Sequence, residues 1–137
     1  MITKVAIIGA GAWGTALSVV LAGQGRSVSI TPRSASLATT LAADRENRAY
    51  LPGVALPKNL RISGHPGEAA EGAAIVVMAI PSRFAREAFA PIAALLNPTQ
   101  IIVSATKGIE EYSLLTMTQM IGELIPANHT VALSGPG

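Results

Sequence analysis

The sequence predicts an α/β domain on a doubly wound parallel sheet, and three observations carry that expectation. Runs of β-branched and small apolar residues recur along the chain: Val5-Ala-Ile-Ile8, Ala74-Ile-Val-Val-Met-Ala-Ile80 and Gln100-Ile-Ile-Val-Ser104. Such continuous apolarity suits strands buried on both faces. Stretches with apolar residues at helical spacing alternate with these runs. The composition is 50% hydrophobic but only 4% aromatic, which calls for an aliphatic core of Val/Ile strands under Ala/Leu helices. At 137 residues the chain is one domain with a single sizeable core.

Taken in order, residues 5–8 form the first strand, and Gly9, Gly11 and Gly14 follow at G-x-G-x-x-G spacing. The first glycine permits a tight turn, the second lets backbone approach a pyrophosphate, and the third lets the next helix pack close to the sheet. That helix presents unpaired N–H groups and a partial positive charge to an anion. Its expected inner face is Ala16, Leu17, Val20 and Leu21, and Gly23 to Gly25 end it. Residues 27–31 read as a second strand stopped by Pro32, completing a βαβ unit with a right-handed crossover.

Ser34 is placed to cap a helix over residues 35–45, with Leu37 and Leu41 facing in. Residues 47–59 are rich in turn formers and read as irregular. A short third strand is expected at 60–63 and at most two helical turns at 68–72. The fourth strand covers 74–80, and Ser82 caps a helix to about Leu96, with a kink or break at Pro91. The fifth strand, 100–104, leads into Ala105-Thr-Lys-Gly108. Ser113 then caps a helix with the stripe Leu114, Met117, Ile121 and Leu124, and 130–134 form the sixth strand. The simplest order is 3-2-1-4-5-6, so a ligand belongs at the carboxyl ends of the strands, where the order reverses between the first and the fourth.

Several function classes fall away. The net charge is +2 and no block of like charges occurs, so nothing favours nucleic acid or a membrane surface. Residues 5–24 carry no charge and imitate a signal anchor. Their glycines and alanines lower the hydrophobicity, and the pattern turns helical halfway, so stable membrane insertion is not expected. The absence of cysteine excludes disulfides and thiolate chemistry and fits a cytoplasmic protein. No carboxylate pair, nucleophile elbow or metal cluster can be assembled, and His65 and His129 read as isolated surface residues.

The candidates lie just past the strands. Trp13 could cover the pyrophosphate or nicotinamide side of a dinucleotide, or pack the loop onto a neighbour. Arg33 stands nineteen residues after Gly14, near where an NAD site would carry an acid, and no Asp or Glu occurs between Gly14 and Asp44. A guanidinium there can stack on adenine or pair with a 2′-phosphate, which leans toward NADPH or tolerance of both cofactors; the alternative is a solvated arginine. Lys107 could hold a phosphate, a carboxylate or a substrate hydroxyl, or lie on the surface. Pro81 and Ser82 start a helix where backbone can touch ribose or nicotinamide. Asn47 and Tyr50 fit a lid, an interface or plain loop packing, and Glu110 and Glu111 a solvated helix start.

Gly9-Ala-Gly-Ala-Trp-Gly14, Asn47 with Tyr50-Leu-Pro-Gly53 and Leu56-Pro57, Thr106-Lys-Gly-Ile-Glu110 and Leu133-Ser-Gly-Pro136 together resemble the successive motifs of NAD(P)-dependent glycerol-3-phosphate dehydrogenase. The resemblance implies a Rossmann-type cofactor domain and hydride transfer between NAD(P)H and dihydroxyacetone phosphate, giving sn-glycerol 3-phosphate for phospholipid synthesis. It implies dinucleotide contacts from Gly9, Gly11, Ala12, Trp13, Gly14, Arg33, Pro81 and Lys107, and substrate contacts from Lys107 and Gly135. A homodimer is one expected assembly.

The family pattern also includes a helical second domain that carries the acid/base lysine, and many members have serine where Gly137 stands. Residues 1–137 are therefore expected to be the cofactor domain alone, with the catalytic residues beyond Gly137, and to be inactive by themselves. The rivals are other two-domain dehydrogenases of the 6-phosphogluconate, ketopantoate or UDP-sugar type, and a non-catalytic nucleotide-sensing module.

Overall fold

The computed structural model describes residues 3–133. Strand β1 (Lys4–Ile8), helix α1 (Ala12–Gly23) and strand β2 (Ser27–Thr31) make the first βαβ unit. Helix α2 (Ala35–Asp44), a hairpin of β3 (Glu46–Asn47) and β4 (Leu51–Ala55), and β5 (Arg61–Ile62) follow. The short α3 (Pro66–Ala70) then leads to β6 (Ile75–Met78), α4 (Ser82–Ala93), β7 (Ile101–Ser104), α5 (Met117–Leu124) and β8 (Thr130–Ala132). Six strands form one sheet in the order β5-β2-β1-β6-β7-β8, every pairing parallel. This is the expected doubly wound, Rossmann-type order, with its reversal between β1 and β6.

Alternate residues of β1, β6 and β7 feed two cores. Ala6, Ile8, Val76, Met78 and Ile102 point to one face, where Phe89 of α4 and Met120 and Ile121 of α5 are wholly buried. Val5, Ile7, Val28, Ile30 and Val77 point to the other, against Ala22 of α1 and Leu41 of α2. Because both faces are covered near the centre, β1, β6 and β7 read as continuous apolar runs, whereas β2 alternates Val28 and Ile30 with the hydroxyl residues Ser27, Ser29 and Thr31. The uncharged stretch that imitates an anchor divides into β1 and α1. Among the described residues no helix is long and apolar enough to cross a membrane.

Four local expectations are corrected. The segment read as irregular contains the β3–β4 hairpin, with Glu46 opposite Ala55 and Asn47 opposite Leu51. The buried face of α1 is Gly14, Thr15, Ser18 and Ala22, while Val20 is 57% exposed and Leu17 and Leu21 are only partly buried. The helix lies close to the sheet, and its fully buried positions carry small side chains. The hydroxyl this buries is satisfied locally, Ser18 Oγ donating to Gly14 O at 2.8 Å.

Helix α5 starts later than expected, capped by Thr116 rather than Ser113. Gln119 N donates to Thr116 Oγ1, and the Gln119 side chain accepts from Thr116 N, a complete capping box. Leu114 thus falls outside the helix, with φ of +59° and 66% exposure. Helix α4 begins at Ser82, but Pro81 occupies the cap position and no side chain caps it. It runs through Pro91 without breaking and ends two residues later, at Ala93.

Candidate functional site

At the carboxyl end of the sheet a cleft of about 260 Å³ opens at the reversal of strand order. One wall is the glycine loop (Gly11, Ala12, Trp13, Gly14), and the other comprises the segments after β6 and β7, including Pro81, Ser82, Thr106 and Lys107. A second crevice, about 320 Å³, lies near the amino ends of β6 and β7. Its Gln100 amide donates to the carbonyls of Ala70 and Ala73.

Steric demands explain the loop. Gly9 has φ of +113°, and a Cβ there would collide with the Ala79 carbonyl. A side chain on Gly14 would strike Gly9 O and crowd Ala79 Cβ. Gly11 is different, since a Cβ there would meet nothing within 4 Å. The space above Gly11 is therefore open for a ligand, as a pyrophosphate approaching backbone requires. Gly11 is also the N-cap of α1, whose first turn carries no acidic side chain to compete with an anion. A dinucleotide pyrophosphate fits this cradle on size, open backbone and sign of charge.

Of the residues singled out from sequence, Gly11, Ala12, Trp13, Gly14, Pro81 and Lys107 line this one cleft. Trp13 is 48% exposed beside it. Gly9 forms the base of the loop, its N–H donating to Thr31 O at 2.9 Å. Arg33 is exposed two residues past β2, at the same end of the sheet but not among the cleft-lining residues. Ser34 caps α2, its Oγ accepting from Leu37 N at 3.1 Å. Gly135 lies outside the described residues. His65 and His129 are exposed.

Three supporting residues were not assigned these parts from sequence. Asn47 is 1% exposed, and its amide Nδ2 donates to Ala10 O and Thr15 Oγ1, both at 2.9 Å. The hairpin therefore holds the glycine loop from outside. Thr106 Oγ1 donates to Ile80 O at 2.6 Å, tying together the two connections that form the far wall. Glu110, read as solvated, has a side chain only 13% exposed and accepts a fork from Arg86, whose Nε and Nη2 both stand at 2.8 Å. Arg86 Nη2 also donates to Glu123 of α5 at 2.9 Å, and Ser113 Oγ donates to Glu110 Oε1 at 2.6 Å.

The Arg86 fork, joined by the Ser113 hydroxyl, pulls the Glu110 carboxyl down to about 2, and the two carboxylates raise Arg86 further above its ordinary value. Nothing local in the sequence pairs residues 86 and 110. The Thr116-x-x-Gln119 box, by contrast, was visible and marks where the loop must end.

The sequence profile described as "NAD-dependent glycerol-3-phosphate dehydrogenase N-terminus" matches residues 4–137. Glycerol-3-phosphate dehydrogenase [NAD(P)+] of Thermus thermophilus is 46% identical over 135 residues, 97% of this chain and 40% of the relative. The enzyme of the same name from Desulfitobacterium hafniense is 41% identical over 133 residues, 97% of this chain and 38% of the relative.

The crystal structure of glycerol-3-phosphate dehydrogenase from Coxiella burnetii superposes with a TM-score of 0.89 at 27% identity, covering 98% of this chain and 41% of that one. A ketopantoate reductase from Ralstonia eutropha shares the fold, with a TM-score of 0.73 at 22% identity over 95% of this chain and 40% of that one. The chain thus spans about 40% of the length of the curated relatives it matches.

Proposed function

The chain belongs to the family of NAD-dependent glycerol-3-phosphate dehydrogenase N-termini, and from that premise we propose that it holds the nicotinamide dinucleotide for reduction of dihydroxyacetone phosphate to sn-glycerol 3-phosphate. The observation that carries this reading is the open backbone at Gly11 and the N-terminus of α1 facing Lys107 across one cleft. When bound, the cofactor supplies hydride. The residues of this chain bind, orient and shield. Gly11, Ala12 and Gly14 bring backbone N–H groups to the pyrophosphate, and Trp13 covers it from solvent.

Pro81 turns the chain where the nicotinamide ribose would lie. Lys107, a cation at the cleft mouth, holds an anionic oxygen of cofactor or substrate, with Gly135 on the substrate side. The proton donor and the remaining phosphate grip belong, on this reading, to the part of the relatives that residues 1–137 do not cover. The 137-residue chain then binds nucleotide without turning over dihydroxyacetone phosphate. The lipid-synthetic role and a cytoplasmic setting follow from the same proposal.

Arg33 extends the reading to the cofactor's far end. It is exposed just past β2, beside the Ser34-capped start of α2, and its guanidinium supports a reading in which it pairs with a 2′-phosphate and favours NADPH. Fluorescence titration of the purified chain with NADPH and NADH at low salt tests both points. Saturable binding is expected, with Arg33→Ala weakening NADPH about tenfold and NADH far less. Equal affinities untouched by Arg33→Ala would end the 2′-phosphate argument. Absence of nucleotide binding, or robust turnover by this chain alone, would overturn the wider proposal.

A further inference from the structure

Lys107 sits on a connection that two hydrogen-bonded contacts and one close approach hold against the segment from Ile80 into α4. One residue before it, Thr106 Oγ1 reaches the carbonyl of Ile80, at the end of the β6 connection. One residue after it, Gly108 adopts φ of +112° against Ser82, so close that a Cβ would stand 3.2 Å from Ser82 Oγ. Three residues after it, Glu110 takes the two-pronged hydrogen bond from Arg86, one turn further along α4. Ile80, Ser82 and Arg86 thus trace one path from the cleft wall down α4.

Beyond Glu110 the chain closes on itself. Glu110 N donates to Leu115 O, Leu114 N donates to Glu110 O, and Ile109 pairs with Thr116 at the start of α5. Arg86 completes the anchor by reaching Glu123 on α5. An exposed ion pair between two free side chains contributes little, because both must be immobilised. This pair differs: it is bidentate, its acid is largely buried, and a further carboxylate and a hydroxyl hold it in place.

We infer that Arg86 and Glu110 are positioning residues for Lys107, with the Arg86–Glu110–Glu123 cluster holding the lysine's loop against α4 at the mouth of the cleft. The inference rests on the reading of Lys107 as a ligand-holding residue. It adds that the lysine's grip depends on an ion pair outside the cleft lining. Arg86 touches no ligand; without it the loop keeps its covalent path but loses its fixed distance from the far wall.

A double-mutant cycle in the 137-residue chain, read by NADPH fluorescence with thermal midpoints monitored in parallel, tests this. Lys107→Ala should weaken NADPH about tenfold, and Arg86→Gln or Glu110→Gln about three- to tenfold, the second variant guarding against a folding defect in the first. Arg86→Lys, which keeps the charge but not the fork, should recover only part of the loss. Adding Arg86→Gln to Lys107→Ala should cost nothing more. Equal losses from Arg86→Gln with and without Lys107 would show general destabilisation and overturn the inference. So would full affinity in both Arg86→Gln and Glu110→Gln beside a weakened Lys107→Ala. An unaffected Lys107→Ala would instead remove the underlying reading of the lysine, and the inference with it.

Discussion

Asn47 shows how a single buried amide can govern a binding loop thirty-odd residues away in sequence. Its two donated bonds fix the Ala10 carbonyl, inside the glycine motif, and the Thr15 hydroxyl in the first turns of α1. Its own Oδ1 accepts from Tyr50 N at 3.3 Å, so the hairpin turn is ordered by the same group. Asn47→Ala would strand a buried carbonyl and a buried hydroxyl, a penalty of about 1–3 kcal/mol. The expected result is a lower midpoint in thermal denaturation together with weaker NADPH binding. Asn47→Asp should be worse than alanine at neutral pH, because a carboxylate placed against the Ala10 carbonyl cannot donate. Unchanged nucleotide affinity in both variants would show that the glycine loop holds its shape without the hairpin.

Elements here are positioned by their ends as much as by their apolar faces. The glycine loop, the β6–α4 connection and the β7–α5 connection bring the cleft together, and the last of these is secured by charge. That makes its order sensitive to acid in a definite direction. The folded-state value of Glu110 is depressed, so its contribution to stability is fully present above about pH 4.5 and is lost as pH falls toward about 2. Glu110→Gln should therefore destabilise the chain at pH 7. It should also flatten the loss of stability across that acid window, as followed by circular dichroism in urea at stepped pH. An unaltered acid profile in the glutamine variant would mean that other carboxylates dominate the transition.

On the scale of the molecule, the two faces of the sheet are covered unequally. Helices α1 and α2 pack on the β1–β2 side of one face. On the β7–β8 side of that face Ile101 is 39%, Val131 51% and Leu133 40% exposed. Strand β8 also ends the sheet, with no further strand paired to it among the described residues. An apolar surface beside an open strand edge favours association with another copy of the chain. Sedimentation velocity should show concentration-dependent self-association that Val131→Lys suppresses. A monomer throughout the accessible concentration range would contradict this.

Much of the fold was legible because burial on both faces writes continuous apolar strands into the sequence, and glycine spacing marks where backbone must pass close to backbone. The strand order followed from the alternation of strands and helices. Less legible were contacts whose partners lie far apart in sequence: Asn47 to Ala10, Thr106 to Ile80, Arg86 to Glu110. Nor could periodicity identify the inner face of α1. The fully buried residues of that helix are the small Gly14, Thr15, Ser18 and Ala22, while its larger Leu17, Val19 and Leu21 pack against the core only in part.

By itself, then, the sequence determined a doubly wound sheet, a dinucleotide-type turn at Gly9 to Gly14, and a cluster of candidate residues at the carboxyl ends of the strands. Those are properties of local chemistry: β-branching, missing Cβ atoms and helix starts. Only the tertiary structure decided what holds Gly11 open and the Lys107 loop in place. Hydrogen-bond and ion-pair partners are chosen by proximity in space, and proximity exists only once the sheet has brought the hairpin, α4 and the Lys107 loop to their places.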